Sequence, residues 1–186
     1  MASIAKRNRA TRTGAIAGFT MVEALIAISV IVAALLTTIG AMSSSMRASR
    51  TVDERETAVR AIAAKVAEIE AVDFAALFAN YDPDPNDDPL GPGTAPGATF
   101  DIPNFHAQGG SAAPVGTIVL PMIGGQLRED ADMPELGMPR DLNGDGKIDA
   151  LDHKSDYQLL PILVRASWHG IDGDATITIE KLLAAK

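Results

Sequence analysis

The pattern of hydrophobic and polar positions begins with a long apolar run near the N-terminus. Residues 24–46 contain no charged side chain. An α-helix rises about 1.5 Å per residue, so about 20 apolar residues cross a hydrocarbon core of roughly 30 Å. The run is therefore long enough to form a transmembrane helix, which we place at residues 19–42.

After this run, the pattern becomes that of an amphipathic helix. Apolar residues recur at intervals of three and four, as on one buried helix face. These residues are Val59, Ile62, Val66 and Ile69. Residues 41–79 contain neither proline nor glycine. We therefore expect residues 43–79 to continue the first helix, giving one helix from about residue 19 to about residue 77, bent near Gly40.

The helical pattern stops at residues 80–97, which contain five prolines and four aspartates. This composition predicts an extended, solvated surface loop. Residues 98–186 then read as a β domain, with strand candidates at 98–102 and 117–123, the latter at a sheet edge because it contains Pro121.

The clearest strands are residues 157–168 and 176–183. The turn-forming residues 169–174 separate them, which predicts a β-hairpin, and Trp168 reads as a packing residue. The predicted fold class is therefore α+β, with a long N-terminal α-helix packed on a small antiparallel sheet.

Charge is distributed unevenly along the 186 residues, whose net charge is −8. Residues 1–18 contain four basic side chains and no acidic one, so the rest of the chain has a net charge of −12. A basic flank predicts a cytoplasmic N-terminus and an exported C-terminal domain, hence a single-pass membrane protein. The acidic remainder argues against direct nucleic-acid binding.

Composition also narrows the chemistry. The chain has no cysteine, which excludes disulfides, thiolate metal sites and a cysteine nucleophile. His106, His153 and His169 lie in unrelated predicted loops without ligand spacing. No phosphate-binding loop or nucleophile elbow is present in the sequence, so we do not expect an enzyme.

Glu23 is the unusual residue at the start of the apolar run. A carboxylate inside a membrane costs about 2.5–3.5 kcal/mol on insertion scales, so it calls for a functional reason. Cleavage between Gly18 and Phe19 would create an amino terminus four residues, or about one helical turn, before Glu23. The carboxylate could then neutralise its own amine or that of a neighbouring subunit. The simpler alternatives are a secretory signal peptide cut near Ala41 and an uncleaved signal anchor.

The segment Gly18-Phe19-Thr20-Met21-Val22-Glu23 lies between a basic leader and an apolar helix. It resembles the type IV prepilin signature shared by pilins and type II secretion pseudopilins. The resemblance implies a pilin-like fold, insertion in the bacterial inner membrane before assembly, cleavage after Gly18 by a prepilin peptidase and N-methylation of Phe19. It also implies that Glu23 pairs with the Phe19 amine of an adjacent pilin or pseudopilin subunit during assembly.

Residues 141–152 form a second motif. Calcium binds six to eight oxygen atoms, and a 12-residue loop can supply them from alternate positions. The oxygen-bearing candidates at these positions are Asp141, Asn143, Asp145, the Lys147 carbonyl, Asp149 and Asp152. Gly146 occupies the sharp turn, as in an EF-hand loop. An EF-hand normally has glutamate in the last position, and the aspartate there resembles bacterial dockerin loops.

These observations predict a minor pilin or pseudopilin that assembles into a type IV pilus or a type II secretion filament. Its exported domain would be stabilised by Ca²⁺, since a metal could stiffen a small domain that lacks disulfides. The alternative is an uncleaved, membrane-anchored, calcium-dependent binding module that does not assemble. The sequence does not choose between pilus and pseudopilus.

Overall fold

The computed structural model describes residues 19–110 and 113–185. The chain divides into two compact units, Met1–Ser45 and Met46–Lys186, which are described separately. Its elements are a long N-terminal apolar helix and a small antiparallel sheet, so the α+β class is confirmed.

Helix α1 spans Met21–Glu70, a length of 50 residues, and continues through Gly40. It ends before the predicted residue 77. Asp73 is extended at the start of a 3₁₀ turn, Phe74–Ala76, which leads into the short helix α2, Leu77–Tyr81. The Asp73 side chain makes no capping hydrogen bond at this turn. A tertiary contact holds the turn, because the Tyr157 hydroxyl donates to the Phe74 carbonyl at 2.6 Å.

The second unit contains a four-stranded antiparallel sheet of order β1-β2-β5-β6, and β3 pairs with β4 in a separate ribbon. The strand bounds are β1 Thr99–Phe100, β2 Gly116–Val119, β3 Met122–Ile123, β4 Gln126–Leu127, β5 Leu159–Gly170 and β6 Gly173–Ala184.

The predicted hairpin corresponds to β5 and β6, which pair from Leu159↔Ala184 to Gly170↔Gly173. Only two residues join the strands, and Gly173, which opens β6, has a φ of 108° that glycine adopts without strain. The strand predicted at residues 117–123 is split into β2 and β3. The break includes Pro121, which has no N–H to donate, and β2 itself lies inside the sheet.

The core of the second unit forms between the C-terminal part of α1 and the sheet. The buried helix positions are Ala58, Ile62, Val66 and Ile69. Val59, which the sequence pattern placed on this face, is 44% exposed, and Ala58 takes its place. Trp168 is buried and packs edge-on against Phe105, with 5.4 Å between ring centroids, as expected for a packing residue.

Candidate functional site

The predicted metal loop, residues 141–152, lies between the 3₁₀ turn Pro134–Leu136 and strand β5. Gly144 and Gly146 have φ values of 80° and 84°, which are strained for residues with a side chain. The loop is joined to the start of β5, because Gln158 and Leu159 donate their N–H groups to the Leu142 carbonyl at 2.7 and 2.9 Å.

The first three predicted ligands fold the loop around their own side chains. The two Asp141 carboxylate oxygens accept N–H bonds from Gly144 at 2.6 Å and Gly146 at 2.8 Å. The Asn143 carbonyl oxygen accepts the Asp145 N–H at 3.1 Å. Asp145 in turn accepts the Lys147 N–H at 2.8 Å. These short turns give each of the three oxygen-bearing side chains a backbone N–H partner within the loop.

The last two predicted ligands are held by groups outside the first turn of the loop. Asp149 Oδ1 accepts the Leu151 N–H at 2.8 Å and lies 3.2 Å from His153 Nε2. Asp152 Oδ1 accepts N–H bonds from Leu127 at 3.1 Å and Lys154 at 3.3 Å. The twelfth position therefore fastens the loop to β4.

The predicted ligands carry oxygen atoms of the kind that a hard cation such as Ca²⁺ binds. Among the described residues, however, Asp141, Asp145 and Asp152 do not belong to a group of three or more acidic or histidine side chains whose ligand atoms lie within 4.8 Å of one another. A carboxylate or amide oxygen has two lone pairs, so an oxygen that accepts one N–H bond can still bind a metal. Asp141, Asn143 and Asp145 keep this capacity, and oxygen is the ligand atom that Ca²⁺ prefers. Asp149 and Asp152 each have a second oxygen besides the Oδ1 atom that holds the fold.

The sequence reasoning missed Glu129, which comes two residues after β4. Its side chain is 1% exposed and accepts N–H bonds from the loop: Leu142 at 2.7 Å and Asn143 at 3.2 Å on Oε1, and Asp149 at 3.2 Å on Oε2. No local sequence pattern predicts this contact, because Glu129 and its partners lie 13 or more positions apart in the chain.

His153 is the other residue that the sequence reasoning did not connect to the loop. Its ring is buried, and ligand atoms of Glu129, Asp149 and His153 all lie within 4.8 Å of one another, a grouping that could hold a metal ion. Burial disfavours the imidazolium, but hydrogen bonds to Asp149 and Asp156 and the charge of Glu129 outweigh it and raise the pKa of His153. The backbone N–H of Leu151, followed by His153, holds the pKa of Asp149 below its usual value.

The N-terminal candidate site lies at the start of α1. Gly18 falls outside the described residues, whereas Phe19 is described and exposed. The Glu23 N–H donates to the Thr20 hydroxyl at 3.3 Å, so Thr20 caps the helix. The spacing of Thr20 and Glu23 matches a capping box, a local reading that the sequence reasoning did not consider.

Glu23 lies in the first turn of α1, where the helix dipole favours a negative charge. The helix that follows is long and apolar enough to cross a membrane, and none of its most apolar stretch is buried within the structure.

Comparisons of the chain with protein-family models, with curated proteins and with solved structures found no match. The fold therefore defines an α+β protein with an N-terminal helix that is long and apolar enough to span a membrane.

Proposed function

We propose that the chain is a structural subunit, a minor pilin or pseudopilin, of a type IV pilus or a type II secretion filament. A prepilin peptidase would cleave after Gly18 and methylate the amine of Phe19. The single observation that carries the proposal is the segment of residues 18–23 at the junction of a basic leader and an apolar helix.

Exposure of the apolar helix supports this proposal. Large hydrophobic side chains of α1 from Met21 to Met46 lie mostly more than half exposed, on every side of the helix. Such an apolar surface requires lipid or other apolar helices around it. A membrane before assembly and the packed core of a filament after assembly both supply these surroundings.

The position of Glu23 supports assembly in particular. A cap at Thr20 satisfies one backbone N–H but leaves the Glu23 carboxylate in an apolar helix, where it needs a cationic partner. Cleavage after Gly18 would place an ammonium group within one turn, and a neighbouring subunit would supply another. Pairing across subunits would set the axial register of the two helices.

Calcium would act on the exported domain. The residues that would hold it are Asp141, Asn143, Asp145, the Lys147 carbonyl, Asp149 and Asp152. When bound, the ion cross-links oxygen atoms from both ends of the loop. Because Leu142 and Asp152 connect this loop to β5 and β4, a rigid loop would stabilise the exposed side of the domain.

The first test is the intact mass and N-terminal peptide of the protein from the membrane fraction of its own cells. We expect a chain that begins at N-methylated Phe19. A chain that retains residues 1–18, or one cut near Ala41, would contradict the proposal. Either result would favour an anchored or secreted calcium-binding module instead.

The second test separates processing from assembly. We expect Glu23→Gln to leave cleavage intact but to reduce recovery of the subunit in sheared filaments, because the neutral amide cannot pair with an amine. Ser29→Ala is the matched control, since the Ser29 hydroxyl donates to the Leu25 carbonyl of its own helix at 2.8 Å. Equal recovery of both variants would refute the pairing argument.

A further inference from the structure

We propose that Glu129 is a positioning residue that shapes the calcium loop before the ion binds. The inference rests on the calcium part of the proposed function and adds a residue that lies outside the 12-residue motif. Its basis is the buried carboxylate of Glu129, which accepts N–H bonds from the second, third and ninth loop positions.

These three bonds join the two halves of the loop. Glu129 Oε1 holds the N–H groups of Leu142 and Asn143 at 2.7 and 3.2 Å, while Oε2 holds that of Asp149 at 3.2 Å. Asn143 and Asp149 are themselves predicted ligands. One rigid carboxylate therefore fixes the distance between a ligand in the first half and a ligand in the second half.

The buried Glu129 carboxylate needs partners that replace its lost water. A buried carboxylate is stable only where hydrogen bonds or a cation replace its water, and Glu129 is 1% exposed. Its neighbours Arg128 and Asp130 pair with each other, at 2.6 Å. In the described part of the chain, the basic side chain within 4 Å of the Glu129 carboxylate is that of His153, at 3.7 Å, and it carries a positive charge only when it is protonated. The backbone N–H groups of the loop are thus its main compensation.

The same strand end holds the loop at a second point. Asp152 bonds the Leu127 N–H through Oδ1, and the His153 N–H donates to the Leu127 carbonyl at 3.0 Å. The Arg140 N–H, just before the loop, donates to the Glu129 carbonyl at 3.1 Å. Residues 127–129 therefore fasten both ends of the loop, and the Glu129 side chain fixes the part between them.

Calcium titration of Glu129→Gln tests the role directly. Glutamine keeps the size of the side chain and one acceptor oxygen, but it presents an NH₂ group to one set of loop N–H donors. Glu135→Gln is the matched control, since it removes the same charge from the exposed pair with Arg165. Both full-length variants and the wild type are purified in detergent, and Ca²⁺ binding is measured by calorimetry at a temperature where each is folded.

We expect Glu129→Gln to weaken Ca²⁺ binding about tenfold or more, because the free loop of the variant is less ordered and must be ordered when the ion binds. Glu135→Gln should bind like the wild type. A purely structural role would lower the melting temperature in chelator without changing the affinity, and that result would overturn the inference. A wild type that binds no Ca²⁺ would overturn the calcium proposal together with this one.

Hydrogen exchange of the wild type in chelator gives a readout that does not depend on a folded variant. If Glu129 shapes the loop before binding, the amides of Leu142, Asn143 and Asp149 are protected without metal. We expect them to exchange at least about tenfold more slowly than amides of the exposed segment 86–90. Equal exchange in the two segments would show that the loop is not shaped in advance.

Discussion

Asp82 is a buried carboxylate, and we expect its charge to destabilise the folded protein. The sequence places it in a loop expected to be solvated, yet its side chain is fully buried. Oδ1 accepts the Asp84 N–H at 3.2 Å, whereas Oδ2 has no hydrogen-bond partner in the described part of the chain. The Lys154 ammonium lies 4.0 Å away and is closer to Asp87, at 3.1 Å.

The size of this destabilisation follows from the pKa of Asp82. Burial, together with the nearby charge of Asp87, raises the pKa of Asp82 from 3.8 to about 6. Each unit corresponds to about 1.4 kcal/mol, so the carboxylate destabilises the fold by at most about 3 kcal/mol at pH 7 and above. Asparagine keeps an oxygen for the Asp84 N–H but buries an NH₂ group, which costs about 1 kcal/mol. We therefore expect Asp82→Asn to stabilise the domain by about 2 kcal/mol.

The stabilisation by Asp82→Asn should depend on pH. Above pH 6 the carboxylate is charged in both the folded and the unfolded state, so the full penalty is present. As pH falls from 6 towards 4, the folded protein binds the proton first and the penalty shrinks. Below about pH 4 both states are protonated, so the advantage of Asp82→Asn should vanish and the cost of about 1 kcal/mol for the buried NH₂ group should remain.

Thermal melts of the full-length protein in detergent and metal-free buffer, from pH 4 to pH 8, measure this difference. For a domain of this size, 2 kcal/mol corresponds to a rise of several degrees in melting temperature, about 4–10 °C. Asp84→Asn is the control, because the Asn86 N–H holds the pKa of Asp84 below its usual value and no stabilisation is expected. A destabilised Asp82→Asn at pH 8, or a difference that is constant with pH, would refute the reasoning.

Three further predictions concern the second unit. Replacing Asp141 and Asp145 with alanine should abolish a calcium-dependent rise in melting temperature. Linkage puts the corresponding stabilisation of the wild type at about 2.7 kcal/mol when Ca²⁺ exceeds its Kd a hundredfold. A wild type that melts identically in Ca²⁺ and in chelator would contradict the predicted metal loop. Gly116→Ala should destabilise by about 1–3 kcal/mol, because its Cβ would lie 2.3 Å from the Phe100 ring; chemical denaturation measures this cost, and an unchanged midpoint would contradict the packing. Trp168→Ala should cost about 3–5 kcal/mol by leaving a cavity, and loss of the near-ultraviolet circular dichroism of the other aromatic residues would report the unfolding.

Local sequence patterns were sufficient to predict the elements that depend on neighbouring residues. The apolar run and the 3.6-residue stripe predicted the long helix, and alternation around a glycine-rich turn predicted β5 and β6. The turn predicted at Gly146 has the same local origin, since Gly146 takes a positive φ. The type IV pilin assignment and the calcium ion stay predictions.

Long-range packing decided the rest. The end of α1 at Glu70 depends on contacts of Phe74 with Tyr157, and the exchange of Val59 for Ala58 on the buried face depends on how the helix lies on the sheet. A stripe of residues gives the period of a helix, but it does not fix the rotation of the helix about its axis.

The sequence by itself therefore determined the membrane-length helix, the hairpin and the spacing of the candidate ligands, because each depends on residues close together in the chain. Only the tertiary structure decided that Glu129 and His153 adjoin the predicted metal loop and that Asp82 is buried. Burial and pairing of charges depend on segments that are distant in sequence. Composition cannot reveal which of them the fold brings together.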